Sequence, residues 1–405
     1  MHILLIHQAY AGLDEAGGTR HHELASYLQA EGHRLTIIAS PVSYMTGAAT
    51  SRIRWAERSV TPEGITVIRA YTYSALHRSF FHRILSFLSF MFSSFFVGLS
   101  VDHVDLVWGT SPPIFQGFTA WLLARLKGVR FLFEVRDLWP AFAIAVGVLK
   151  NPLLVRLSLW LEGFLYRHAN HVMVNSPGYI THVKSRGARV VTLIPNGADP
   201  AMFDPQSNGS EFRQTYGLTG KYVVLYAGAH GLSNDLQILL DAAKKVEDNQ
   251  DIVIVLLGSG KEKAALQAYA QAAQLTNVTF LPPLPKSAMT DALAAADACV
   301  AILKPIELYK TTYPNKVFDY MAAGRPVILA IDGVIRAVVE DAQAGIFVTP
   351  GDAAEMADAI RTLAADPALG RKMGLAGRQY IETKFNRSDI AAEFGQLLDE
   401  VMRHE

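Results

Sequence analysis

ILLIHQAYAGLDEAGGTRHHELASYLQAEGHRLTIIA, residues 3–39, sets the architecture. Ile3–Ile6 is a continuous apolar run, the pattern of a parallel strand covered on both faces. Gly12–Gly18 reads as a loop, Thr19–Glu31 as a helix and Leu35–Ala39 as the next strand. This strand–loop–helix–strand unit is the building block of a doubly wound α/β sheet.

The same grammar runs outward. Strands are expected at Ile65–Arg69, Leu106–Trp108, Arg130–Val135, His171–Asn175 and Arg189–Ile194, with a helix over Leu153–His168. Ser111-Pro112 reads as a helix start, with Ser as cap and Pro in the first helical position. Residues 200–220 turn polar and carry Pro, Gly and Asn, so the domain boundary is placed there. Beyond it strands are predicted at 222–227, 252–257, 277–281, 298–302, 326–330 and 346–348. Helices fall at 233–247, 261–275, 287–295, 315–323, 353–364 and 368–383, and Ile390–Arg403 is one more. The 405 residues fit two domains, since single cores stop growing near ~250–300 residues.

Lysine plus arginine and aspartate plus glutamate both number 37, which argues against a dedicated nucleic-acid binder. A single cysteine, Cys299, excludes an intramolecular disulfide framework and a multi-thiolate metal site, and DACVAIL around it reads as a buried strand. No G-x-x-x-x-G-K-[ST], HExxH or Gly-x-Ser-x-Gly motif is present, so the simplest ATPase, zinc-protease and esterase readings have no support. Of His21 and His22, about 100° apart on a helix, one is expected to face a ligand crevice and the other not. No metal is expected.

Three glycine sites follow predicted strands: Gly17-Gly18, Gly228 in YAGAHG with His230, and Gly258 with Gly260 in LGSG. Open α/β sheets bind ligands beyond the carboxyl ends of their strands, where glycine lets backbone amides approach phosphate. An ordinary strand–helix turn is the other reading of each. Arg136-Asp137 ends the strand FLFEV; the pair binds substrate or closes the loop on itself. Lys316 falls in the first turn of a helix, where a cation opposes the dipole unless an anion such as a diphosphate offsets it. Asp319 lies three residues on, within reach of a ribose hydroxyl; a solvated helix face is the alternative for both.

GGTRHHELA, VRDLWP, VTLIPNGAD and NKVFDYMAAGRPVI together resemble the family 4 glycosyltransferases, over nearly the whole chain. The most similar subgroup is that of bacterial O-antigen and capsule enzymes of the fucosamine-transferase type. The resemblance implies a GT-B fold: two Rossmann-like domains facing across a crevice that closes over the substrates. It implies a UDP-sugar donor, retention of anomeric configuration and no required cofactor. It also implies a C-terminal helix, 385–405, returning to the first domain. The domains then become 1–200 plus 385–405, and 205–384. Gly17 and Gly18 match the N-terminal glycine loop. The second acid of the family's E-x7-E pair falls at Asp319. The first falls at Thr311, so the usual donor-sugar carboxylate is missing, with Glu307 as a substitute. Lys316 resembles the subgroup's own lysine. The Arg/Lys pair of many members is replaced by His230 and Asn234. Lys316, His230 and the amides near Gly228–Gly231 are expected to take the leaving diphosphate's charge, and Asp137, with Arg136, to orient acceptor or donor. The expected donor sugar is an N-acetylated hexosamine or deoxyhexosamine, and the acceptor a saccharide on a polyprenyl diphosphate lipid. A UDP-sugar 2-epimerase-like enzyme and a non-catalytic sugar-nucleotide-binding protein are the alternatives.

Residues 84–101, ILSFLSFMFSSFFVGLSV, hold no charge in 18 positions, a transmembrane candidate by length. Ser86, Ser89, Ser93 and Ser100 fall on one helical face. Residues 52–83 upstream hold six arginines and two glutamates, with His77, Arg78 and Arg83 near the run. A basic stretch beside an apolar helix predicts contact of 77–101 with an anionic membrane surface, from the cytoplasmic side. A long buried helix packed through its small residues is the alternative. A span fits poorly, because it would remove a crossover from the first sheet.

Overall fold

A computed structural model describes residues 1–403 except 44–46, 48, 50–53, 75–79 and 205. The chain forms two compact units. One comprises Met1–Gly12, Gly17–Pro195 and Ser388–Glu405, the other Leu13–Ala16 and Asn196–Arg387. The chain therefore changes unit at Pro195/Asn196, not within the polar stretch 200–220. That stretch belongs to the second unit because Phe203, Phe212 and Leu218 are buried in its core. Leu13–Ala16 also belong there, where the Ser287 N–H donates to the Leu13 carbonyl (3.1 Å).

The first unit is an eight-stranded sheet: β1 (His2–Ile6), β2 (Arg34–Ala39), β3 (Ala56–Val60), β4 (Thr66–Ala70), β5 (Leu106–Ser111), β6 (Arg130–Val135), β7 (His171–Val174) and β8 (Val191–Leu193). The spatial order is β3-β4-β2-β1-β5-β6-β7-β8, parallel except for β3, which runs antiparallel to β4. All five residues of β1 are buried, as its apolar run requires. The sequence reading contains no strand at β3. Its residues are all exposed, so AERSV carries no core-facing alternation. Ser111 does not cap a helix. It stays in the ladder opposite Val135, and the helix begins at Ile114 after two cis prolyl bonds.

The helices of this unit include α1 (Arg20–Ala30), α2 (Phe80–Leu99), α3 (Ile114–Lys127), α4 (Ala141–Ala145) and α5 (Pro152–His168). The C-terminal helix, Arg387–Arg403, returns to this sheet and packs Phe394 on Trp108, with ring centroids 4.8 Å apart. Helix α3 lies between α2 and α5. Phe115 meets Phe87 at 6.1 Å on one side, and Trp121 meets Phe164 edge-on at 4.7 Å on the other.

Helix α2 turns its small residues inward. Ser86, Ser93 and Ser94 are buried, and the Ser93 hydroxyl donates to the Tyr71 carbonyl (2.6 Å). A Cβ on Gly98 would stand 2.4 Å from Leu123 of α3. The helix is long and apolar enough to cross a membrane, but its inner face carries the β4-to-β5 crossover. Phe92 and Phe96 on its outer face are more than half exposed. Of the segment 77–101, residues 77–79 lie outside the described residues, Arg78 among them.

The second unit is a six-stranded parallel sheet: β9 (Tyr222–Ala227), β10 (Ile252–Leu257), β11 (Val278–Leu281), β12 (Ala298–Ile302), β13 (Val327–Ala330) and β14 (Gly345–Phe347). Its order is β11-β10-β9-β12-β13-β14. Cys299 is fully buried in β12. The sequence reading omits the helix Val334–Asp341, which spans eight residues and follows Gly333 rather than a side-chain cap. In each sheet the strand order reverses beside the first strand, between β1 and β5 and between β9 and β12. These are the switch points where open α/β sheets take ligands.

The two sides of α2 differ in the cost of substitution. Ser93→Phe overpacks the buried side and is expected to destabilise the first unit by about 1–3 kcal/mol. Phe92→Ser on the outer side changes stability by no more than about 0.5 kcal/mol. Urea unfolding followed by circular dichroism checks both.

Candidate functional site

In the first unit, β1, β5 and β6 bring polar groups to the switch point. His7, just past β1, is fully buried, and neither ring nitrogen has a hydrogen-bond partner. Its ring packs on that of His21 at 4.1 Å. Burial lowers the His7 pKa well below its ordinary value, with His21 and Arg136 adding to the effect, so the ring is neutral. Glu134 of β6 has no exposure. Its Oε2 takes a hydrogen bond from His21 Nε2 (2.6 Å), and its Oε1 one from Arg20 Nε (3.0 Å). Arg20 also donates to the Ile194 and Pro195 carbonyls, at 2.7 and 2.6 Å. Burial opposes ionisation of Glu134, but His21 and Arg20 outweigh it and hold the carboxyl well below the usual range. Burial, with Arg136 and Arg20, lowers the His21 pKa against the pull of Glu134.

His21 and His22 do not divide as the helical angle suggests, since both are buried. His22 faces Tyr10, whose hydroxyl lies 2.8 Å from Nδ1. Sequence reasoning passed over His7 and Glu134. The available signal was a lone carboxylate inside the apolar strand FLFEV.

Arg136 does not pair with Asp137. Its Nε donates to Thr110 Oγ1 (2.9 Å) and its Nη2 to the Pro112 carbonyl (2.8 Å), latching β6 to the end of β5. Asp137 is exposed as a residue, and desolvation of its carboxyl raises the pKa to about 6 against the pull of Arg136. Gly17 and Gly18 are exposed just before the cap of α1. A Cβ at Gly17 would stand 2.8 Å from that of Ala11, whereas Gly18 has open space.

In the second unit, the loops after β9 and β10 meet the helix Asn315–Ala322. Gly258 (φ 146°) packs so tightly that a Cβ would fall 1.9 Å from the Gly228 carbonyl oxygen. A Cβ on Gly228 (φ 149°) would come within 2.7 Å of Lys316 Nζ, and one on Gly260 within 2.4 Å of the His230 carbonyl oxygen. Lys316 Nζ sits 3.9 Å over the Tyr226 ring, out of solvent and without a hydrogen-bond partner. Burial lowers its pKa to about 7. His230 is fully buried with both ring nitrogens unpartnered, and burial, with Lys263 and Lys316, lowers its pKa to about 4. Gly228, His230, Gly258, Gly260 and Lys316 thus form one cluster, in which the Lys316 ammonium and the His230 ring nitrogens have no hydrogen-bond partner.

Asp319 and Glu307 are placed differently. The Asp319 carboxylate pairs with Lys286 (2.6 Å), a residue the sequence reading did not single out. Glu307 has a side chain 85% exposed and paired with Lys310, so it is not held as a buried carboxylate in place of the one missing at Thr311. Among the described residues, no three His, Cys, Asp or Glu side chains group to hold a metal ion.

The chain matches two family descriptions: a glycosyl transferase 4-like domain over residues 16–197, and glycosyl transferases group 1 over residues 221–366. The protein is a family 4 glycosyltransferase. One curated relative of this glycosyltransferase is the putative colanic acid biosynthesis glycosyl transferase WcaI of Escherichia coli K12. It is 25% identical over 324 residues, covering 76% of this chain and 78% of the relative. Sucrose-phosphate synthase from Thermosynechococcus elongatus superposes with a TM-score of 0.78 at 20% identity, covering 99% and 98% of the two chains. Anabaena HepE, solved in complex with UDP-glucose, gives 0.73 at 17% identity over 99% and 100%. These likenesses establish the GT-B fold.

Removing the Glu134 carboxylate strands Arg20. Glu134→Ala is expected to destabilise the first unit by about 3–5 kcal/mol, since the remaining charge loses its buried partner. Gly258→Ala is expected to reduce donor affinity, because its Cβ forces the two glycine loops apart. Chemical denaturation reads the first and calorimetric nucleotide titration the second.

Proposed function

We propose that this glycosyltransferase moves an N-acetylated hexosamine or deoxyhexosamine from a UDP-sugar, with retention, onto a saccharide carried by a polyprenyl diphosphate lipid. The reaction belongs to surface polysaccharide synthesis at the cytoplasmic face of the cell membrane. The observation that carries the reading is the Lys316 ammonium, unpartnered beside Gly228 and over the Tyr226 ring. A buried cation without a counter-ion is unfavourable, and a diphosphate supplies the missing charge. The UDP complexes of HepE and the colanic acid biosynthesis for which WcaI is named support the donor and the setting.

In this reading the diphosphate is the leaving group. Lys316, a neutral His230 donating a ring N–H and those amides of Gly228–Gly231 not already given to the Leu257 and Ser259 carbonyls stabilise the charge that develops on it. Gly258 and Gly260 keep the second loop close enough for those amides to converge. Asp319, paired with Lys286, is the carboxylate assigned to the ribose. In the first unit, Asp137 orients the acceptor hydroxyl, Arg136 fixes Asp137 at the strand end, and Gly17-Gly18 leave room for the substrates. The hydroxyl attacks on the face the diphosphate leaves, and a leaving-group oxygen takes its proton. Glu307 has no part in this scheme.

Mass-spectrometric screening of UDP-HexNAc and UDP-deoxyHexNAc donors against membrane lipid extracts tests the reading; absence of sugar transfer with every donor overturns it. Lys316→Met is expected to lower kcat by roughly 100-fold or more. The same change is expected to raise the thermal midpoint of the free protein at pH 6 by roughly 2–6 °C, because a buried charge disappears.

Proton linkage gives a third expectation. The folded Lys316 pKa of about 7 lies below the unfolded lysine value near ~10.4, so the unfolded state binds more protons between them. Stability from this group therefore rises with pH above about 7. A diphosphate raises the bound-state pKa, so UDP binding at pH 8 takes up a proton and weakens as pH rises, by at most about tenfold per unit. Calorimetry in buffers of different ionisation enthalpy measures the uptake, which Lys316→Met abolishes.

A further inference from the structure

Two helices of the first unit carry apolar stripes that stay exposed among the described residues, apart from Trp55 beside Phe96. On α2, Phe81, Leu85, Phe92, Phe96 and Leu99 are exposed, and their spacing places them on one side of the helix. That side lies opposite buried Ser86, Ser93 and Gly98. On α5, Leu153, Leu157 and Trp160 repeat the pattern at i, i+4 and i+7, and Leu153 is 64% exposed. Trp160 continues as a stacked ladder through Phe164 to His168. Helix α3 joins the two stripes, with Leu126 exposed near its end. Single exposed apolar residues are ordinary, but two aligned stripes on neighbouring helices are not.

The exposed charges carried by the three helices themselves have one sign, while Asp102 and Asp105 lie just beyond the end of α2. Helices α2, α3 and α5 carry Arg83, Arg125, Lys127, Arg156 and Arg167. Their one acid among the described residues is Glu162, which has no exposure and pairs with His182 and Arg186. Lys127 caps the end of α2, donating to the Leu99 and Val101 carbonyls at 3.1 and 2.7 Å. Arg125 and Arg156 are exposed.

We infer that the outer surface of α2, α3 and α5 is a docking face for an anionic lipid bilayer, with two insertion stripes rather than one. This deepens the proposed function by locating its membrane contact, and the sequence reading, confined to 77–101, did not include α5. Apolar side chains enter the interface, while arginines at the helix flanks meet phosphate headgroups. The Trp160 indole suits the boundary, with an apolar body and an N–H directed to the headgroups. A second copy fits less well, because two such faces apposed by a twofold axis bring arginines against arginines with no exposed acid on these helices to pair them. The helix does not span: its serine side holds the sheet crossover, so only the outer stripe is available to lipid.

The test is flotation of the full-length protein with vesicles of phosphatidylcholine alone or mixed with phosphatidylglycerol. Binding is expected on the mixed vesicles and should fall as salt rises. Phe92→Ser/Phe96→Ser and Leu157→Ser/Trp160→Ser are each expected to weaken partitioning about tenfold or more. Arg125→Gln/Arg156→Gln should remove the preference for phosphatidylglycerol. Circular dichroism melting and UDP binding, both expected unchanged, show that each variant is folded. Full retention of binding in the α5 pair overturns the two-stripe surface. Sedimentation showing a dimer that only the stripe variants dissociate overturns the lipid as occupant. The vesicle result does not depend on sugar transfer, so failure of the donor screen and failure of this inference are separately visible.

Discussion

A parallel sheet can be built only if every connection crosses a face and returns to the same edge. That constraint buries both faces of each central strand and leaves the carboxyl edge as the place where backbone ends and polar side chains collect. In this chain it acts twice. It aligns His7, Thr110 and Arg136 at the edge of one sheet, and Gly228, Gly258 and the end of β12 at the edge of the other. The apolar strands and the chemistry at their ends are two consequences of one topology.

Charge at those edges is handled in opposite ways. Glu134 is buried but fully occupied, by His21 and Arg20, and Arg20 extends the tie to the last residues of β8's exit. It behaves as a structural ion pair, which stabilises little by itself but is costly to break. Lys316 is buried with no partner, only the π face of Tyr226 beneath it. Natural cores seldom leave a donor so placed, so an unmatched cation among glycines directs attention to an anion. The contrast separates a charge that serves the fold from one that the proposed function gives to a ligand.

Most of the fold was legible because its signals are local. Apolar runs such as Ile3–Ile6 and Ile252–Leu257 announce strands, and glycine pairs after them announce turns. Where the structure departs, the cause is physical. The residues of β3 are all exposed and hold their place by pairing with β4, so no burial pattern marks them. Ser111 has the residue type of a helix cap, but its ladder partner Val135 keeps it in the strand. Phe212 and Leu218 sit in a polar stretch that looks like a linker, yet they fill the second core. The candidate site was legible where glycine or lysine interrupts a motif. It was illegible at His7, Glu134 and Lys286, whose significance lies in partners tens to hundreds of residues away.

The sequence by itself determined the α/β class and the two-domain division, through periodicity and composition, which are properties of neighbours along the chain. Its motifs carried the resemblance to the family, and its glycine loops and Lys316 marked candidate positions for a phosphate, with ordinary turns and a solvated helix face as the alternatives. Only the tertiary structure decided which charges are spent on internal pairs. It assigned Arg136 to Thr110 and Pro112, Asp319 to Lys286 and Glu307 to the surface. It also decided which side of an uncharged helix faces outward, because packing against β4 and α3 consumed the serine side of α2 and left its phenylalanines exposed. Pairing and burial depend on contacts between distant segments, and those contacts exist only once the chain has folded.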